Sequence, residues 1–203
     1  MAESRFISSR YFKPSTFISL ALCISAVAQA RALVPGESTE VNQGDTPESW
    51  TLATGSTLTV NNGAQTLSIN GGGAGSVVNL NTGSSAGSVN LSAPGAVANI
   101  TGASVIASGN ALVLTDSSAI LNNANVVSTN GLGLFGTQVL TGSGSSFLIN
   151  GGTITGSTGG ASLSFGSSLD ATGTVITGTG GNSYGVRGFG SDITLRDSTV
   201  TGA

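Results

Sequence analysis

Apolar residues return about every twenty positions along most of this chain, in three separate rows, and that recurrence narrows the possible folds more than any other property. The first row is a short x-apolar-x-apolar unit: Leu58/Val60, Val78/Leu80, Ala98/Ile100, Ile120/Asn122, Phe147/Ile149, Leu169/Ala171 and Ile193/Leu195. Its successive steps are 20, 20, 22, 27, 22 and 24 residues. The second row is Ile106, Val127, Ile154, Ile176 and Val200, and the third is Leu112/Leu114, Leu132/Leu134, Leu163/Phe165 and Tyr184/Val186. Three short strands per turn at this interval predict an all-β solenoid with coils of about 20–24 residues, none able to bury a core alone. About seven coils fit after Trp50, and at about 4.8 Å per level they make a rod of roughly 34 Å.

Composition agrees with thin strands and tight joints. Gly accounts for 32 of 203 residues and supplies the positive φ that sharp corners need. Val, Ile, Leu and Thr supply strand faces. Mean hydropathy is positive, which argues against disorder, since disordered chains pair low hydrophobicity with high net charge. Only 7% of residues are charged and four of the six basic ones (Arg5, Arg10, Lys13, Arg31) lie at the start. Nucleic acid is therefore excluded as a partner, because phosphate contacts need Lys and Arg. The remainder is acidic, as exported surface proteins often are, but that specifies no partner.

Residues 1–30 read as a secretory signal peptide: a basic start, an apolar run from Phe17 to Val27, and Ala28-Gln29-Ala30 as a small-x-small cleavage site. The run is short for a membrane span, which takes about 20 apolar residues. The single cysteine, Cys23, lies inside it, preceded by Leu22 where a lipobox has Gly or Ala. After cleavage neither a disulfide nor a Cys-ligated metal is available. Residues 31–57, with Pro35, Pro47 and five charges, are expected to form a lead-in that covers the first coil, with Trp50 packed against it. Residues 58–203 are then the repeats. The long step holds Thr137–Gly144, read as a loop inserted into one coil. The chain stops at Ala203 in mid-pattern, so the repeat is expected to be truncated there.

Two motif matches carry no chemistry. Gly83-Ser84-Ser85-Ala86-Gly87 fits the G-x-S-x-G nucleophile elbow, but the chain has no His to act as base and no helix follows. Gly131-Leu132-Gly133-Leu134-Phe135-Gly136 fits G-x-G-x-x-G, yet Leu132 and Leu134 fall on a strand row rather than before a helix. Asp116, Asp170, Asp192 and Asp197 are too scattered for a calcium-binding β-roll. Asp192 and Asp197 with Arg187 and Arg196 are read as a solvated polar cluster, since surface ion pairs contribute only about 0–1 kcal/mol. Polysaccharide lyases use several convergent carboxylates, which these coils lack. No catalytic residue, metal ligand or cofactor site is expected, and the chain is not expected to be an enzyme.

The entry Glu48-Ser49-Trp50-Thr51-Leu52 leading to Leu58-Thr59-Val60-Asn61-Asn62-Gly63-Ala64 resembles the N-terminal part of a pertactin-like passenger domain of bacterial autotransporters (type V secretion). So do the coils Ser168–Gly178 and Tyr184–Thr201, and the likeness covers roughly residues 45–203. The resemblance implies a right-handed parallel β-helix displayed on a Gram-negative cell and exported through the protein's own C-terminal outer-membrane barrel, which these residues do not contain. The Arg-Gly-Asp cell-binding loop of some members is also missing. The expected role is a stalk or adhesive surface that meets host-cell or bacterial surface molecules, with a part in virulence. Two other readings stay open: a scaffold for a protease or esterase module elsewhere in a longer chain, and a carbohydrate-binding β-helix.

Overall fold

The computed structural model describes residues 29–139 and 142–203, so residues 1–28 of the expected signal peptide 1–30, its apolar run from Phe17 to Val27 included, lie outside them. All regular elements among the described residues are β-strands. In chain order they are β1 (Ala30–Ala32), β2 (Ser38–Val41), β3 (Ser49–Leu52), β4 (Thr57–Val60), β5 (Gln65–Gly71), β6 (Val77–Leu80) and β7 (Ser85–Leu91). Then come β8 (Val97–Thr101), β9 (Ser104–Ala107), β10 (Leu112–Thr115), β11 (Ser118–Asn122), β12 (Asn125–Ser128) and β13 (Leu132–Thr137). The last are β14 (Ser146–Asn150), β15 (Thr153–Gly156), β16 (Gly159–Ser164), β17 (Ser168–Thr172), β18 (Val175–Gly178), β19 (Tyr184–Phe189), β20 (Asp192–Arg196) and β21 (Thr199–Thr201). They stack as a parallel β-solenoid of about eight turns. One wall is an 8-stranded sheet in the order β2-β4-β6-β8-β11-β14-β17-β20. Strands therefore begin within the stretch expected as lead-in, where β2 already pairs in register with β4.

The second wall changes character along the rod. Its first strands, β1, β3, β5 and β7, stack singly, so the early coils have two sides rather than the three expected. At β7 the wall forks. Ser85 and Ala86 pair with β9, whereas Val89–Leu91 pair with β10. From there one branch runs β9-β12-β15-β18-β21 and the other β10-β13-β16-β19. The cause is visible in β5 and β7, which break the period-two alternation: Thr66 and Ile69 face inward, and so do Ala86 and Val89. The strand bends at Gly87, where a Cβ would overlap the Leu67 carbonyl oxygen. In the next coil, Ile106–Ala111 replace the two residues Gly87 and Ser88, and the bend opens into a third side.

The core is a set of files running along the rod. Leu58, Val78, Ala98, Ala119, Phe147, Leu169 and Ile193 form one, and Val60, Leu80, Ile100, Leu121, Ile149, Ala171 and Leu195 the next. The fourth coil corrects the first sequence row, because Ala119 and Leu121 face inward, not Ile120 and Asn122. The second row slips likewise. Val105 and Val126 are fully buried in register with Ile154, whereas Ile106 is 52% exposed and Val127 lies on the outer face. In the third row Leu112 pairs with Leu134, not Leu132, and Phe165 lies outside the core. Each fully buried Leu or Ile contributes roughly 1.5–3 kcal/mol, so one coil's share is small and the stack supplies the stability.

Size is matched across the hollow. Gly133, Gly160 and Gly185 face Ile154, Ile176 and Val200, and a Cβ on Gly133 or Gly160 would stand 2.8 or 2.5 Å from an Ile methyl. Gly136 opposes the ring of Phe147 in the same way. The joint after the eight-stranded wall is left-handed in every three-sided coil, at Gly102, Asn123, Gly151, Gly173 and Asp197. Buried serines satisfy carbonyls at the opposite joint. Ser56 Oγ donates to Ala53 O (2.8 Å), Ser117 Oγ to Thr115 O (2.8 Å) and Ser167 Oγ to Ser164 O (2.8 Å). Outside, asparagine amides bridge levels: Asn81 Nδ2 donates to Asn61 Oδ1 (3.0 Å), Asn99 to Asn79 (2.9 Å) and Asn150 to Asn122 (3.1 Å).

Candidate functional surfaces

Among the described residues the core files are lined by buried side chains, and the corners and outer faces are what the rod presents to its surroundings. The long inserted step is the first such place. β13 ends at Thr137 and β14 starts at Ser146, and of the segment between them residues 138–139 and 142–145 are described. It is organised by Asp116, which follows β10 in a left-handed conformation (φ 51°) and is buried. Its carboxylate accepts from the backbone N–H of Val139 (3.2 Å) and of Gly144 (3.3 Å). Ser145 Oγ closes the base by donating to Thr137 O (2.6 Å). Both Asp116 oxygens are engaged in holding the loop, so this carboxylate is a clasp rather than a free acid.

The second place is the N-terminal end. Trp50 faces inward on β3, in register with Ile69, and is buried. Arg31 lies over its ring, 5.0 Å from the centroid, and reaches Glu37 at 4.0 Å. Beside them Glu40, Asp45 and Glu48 border an open concavity of about 280 Å³. Among the described residues, no group of three acidic, His or Cys side chains is placed to hold a metal ion.

The third is on β19 and the corner beside it. Arg187 stacks on two rings, 4.3 Å from the Tyr184 centroid and 5.6 Å from that of Phe189. Tyr184 lies across Gly159 of the neighbouring strand, where any Cβ would collide with the ring. At the corner one level earlier, the Phe165 backbone N–H donates to the Phe189 carbonyl (2.7 Å). Arg187, Asp192, Arg196 and Asp197 are all exposed, and among the described residues none forms an ion pair with another of the four. Arg196 pairs instead with Asp170 on the adjacent strand β17, and Arg187 has no carboxylate within ion-pair distance among the described residues. The sequence signal that locates this cluster is the late concentration of aromatics, Phe165, Tyr184 and Phe189, in coils otherwise poor in them.

The two glycine motifs fall where the strand rows placed them. Gly83 forms a turn with φ 79° and Ser85 opens β7, paired on both sides by Gln65 and Ser104. Leu132–Thr137 is β13, with no helix after it. No helix among the described residues is long and apolar enough to cross a membrane, which leaves β-barrels unaddressed.

The architecture defines a class, the parallel β-solenoids. No family model, curated protein or solved structure matches the chain.

Proposed function

We propose that this chain is the N-terminal part of an exported surface passenger of the autotransporter type, working as a stalk or adhesive wall rather than as a catalyst. The observation that carries the reading is the parallel stack of about eight turns, whose outer walls offer Ser, Thr and Asn in repeating files. Three features of the sequence support it: the apolar leader, the absence of Cys after Cys23, and the passenger-like coils at Ser168–Gly178 and Tyr184–Thr201. A chain without disulfides crosses the periplasm unfolded without obstruction. A rod grown by adding levels lengthens without a new core, which suits a structure that must project from a surface. The partners are then the translocating barrel and surface molecules of a host or neighbouring cell.

The experiment that tests this reading is to sequence the gene and transcript past the Ala203 codon. The expected result is an open frame running through further coils into alternating strands of an outer-membrane barrel. A stop codon directly after Ala203 in an intact, expressed gene would remove the export mechanism and with it the passenger assignment.

A further inference from the structure

The branch β9-β12-β15-β18 of the second wall carries an outward pattern that the core does not require. Its strands stack without a slip of register, so their outward residues stand in two straight files. One file is Ile106, Val127, Thr155 and Thr177, and the other is Ser104, Asn125, Thr153 and Val175. Thr201 and Thr199 continue them on β21. Most of these side chains are β-branched and therefore stiff at χ1. Between the files, on the inner face, Val105, Val126, Ile154 and Ile176 are fully buried and fix each level to the core. Thr153 Oγ1 donates to Asn125 Oδ1 (2.6 Å) and ties two levels together on the outside. Charge is missing from the whole surface. Between Glu48 and Arg187 the chain carries only Asp116 and Asp170. The first holds the inserted segment, and the second lies on β17 of the eight-stranded wall.

We infer that this wall binds ice, its partner being the ordered water of a crystal face. The grid repeats at about 4.8 Å from level to level and at about 6.6 Å between outward neighbours on one strand. Rows of water oxygens on the faces of ice repeat at distances of the same size, so hydroxyls and methyls can stay in step with the lattice over several levels. Threonine suits both demands. Its hydroxyl donates to and accepts from lattice water, and its methyl orders the water beside it without holding it. A charged side chain would orient water radially about itself, in a pattern that no lattice shares, and none stands on these files. Other partners find less. A charged one has nothing to pair with. A second copy would meet a patch of roughly 200 Å², far below the roughly 800 Å² per partner of a standard interface. The inference goes beyond the passenger reading and does not depend on it, since it rests on the wall alone.

The test holds a single ice crystal in a dilute solution of the purified chain and reads the gap between its melting and growth temperatures, together with its shape. The chain is expected to open a measurable gap and to facet the crystal. Thr155→Lys sets a long charged side chain in the middle of the grid and is expected to abolish both effects, with an unchanged far-UV spectrum and melting temperature. Leu148→Lys places the same charge on the outer face of the eight-stranded wall, where Leu148 is 44% exposed, and should leave both effects intact. A folded chain that neither opens a gap nor facets the crystal, a gap undiminished by Thr155→Lys, or an equal loss from Leu148→Lys would each overturn the assignment. So would self-association that Thr155→Lys abolishes while ice growth is unaffected, which would give the wall to a second copy instead.

Discussion

At the scale of single residues, the smallest side chains decide whether the walls can close. Gly160 faces Ile176 across a narrow interior, and a Cβ there would also stand 2.6 Å from the Gly185 carbonyl oxygen, an atom with no rotamer to escape into. Gly160→Ala is expected to cost about 1–3 kcal/mol, the usual range for overpacking, read as a lower denaturant midpoint with unchanged m-value. Gly181 makes the matched comparison, because it has open space around its Cβ direction and no positive φ. Gly181→Ala should be neutral or stabilise by up to about 1 kcal/mol through the unfolded chain. Equal losses at both positions would contradict the size matching described for the hollow.

At the scale of elements, the clearest dependence is that of the inserted segment on Asp116. Removing its carboxylate leaves two backbone N–H groups, those of Val139 and Gly144, without their acceptor. Asp116→Ala should destabilise by about 1–3 kcal/mol and raise amide exchange in the insert far more than in β11 or β14. Uniform loosening of all three would show that the clasp serves the whole coil instead. The same elements show what the sequence made legible. The recurrence, the parallel stacking and the position of the insert could be read from spacing alone. The phase of individual strands could not, because Ser118-Ala119-Ile120-Leu121-Asn122 places three apolar residues in succession and admits two alternations. Ser104-Val105-Ile106 has the same ambiguity. The joints resolve both, since Gly102, Gly151 and Gly173 each fall two residues after an inward residue and Asn123 does so after Leu121. The shift of Leu132 against Leu112 was hidden for another reason, as a slip of two keeps the face. The aromatics near Arg187 are signalled by the late concentration of Phe165, Tyr184 and Phe189, but the stacking of Arg187 on Tyr184 and Phe189 within β19 is not legible from spacing.

At the scale of the whole molecule, stability is carried from level to level. Inward Ile193, Leu195 and Val200 of the final coil are 36%, 40% and 41% exposed, while their neighbours one level earlier, Leu169, Ala171 and Ile176, are buried. In a nearest-neighbour stack, β20 and β21 of the 203-residue segment have a described neighbour on one side only. Amides of β20 and β21 are therefore expected to exchange through local opening orders of magnitude faster than those of β14 and β17, measured by native-state hydrogen exchange. Equal protection along the rod would mean that it unfolds as one unit. That end also presents open strand edges, a template for pairing with another chain, so dilute conditions and low temperature are the ones in which the isolated segment should remain monodisperse.

The asparagine files give the rod a chemical lifetime as well as a mechanical form. Asn150, whose side chain bridges to Asn122, is followed by the left-handed Gly151, and Asn62 is likewise followed by Gly63. An Asn-Gly bond is the peptide linkage most open to attack of the backbone nitrogen on the side-chain amide, because glycine offers no side chain to shield it. Ring closure expels the side-chain nitrogen as ammonia and water then opens the succinimide, so each such event exchanges a hydrogen-bond donor for a carboxylate, and at Asn150 it would do so within the file that joins neighbouring levels. The residues that let the coils turn so tightly thus also record the age of the molecule, one charge at a time.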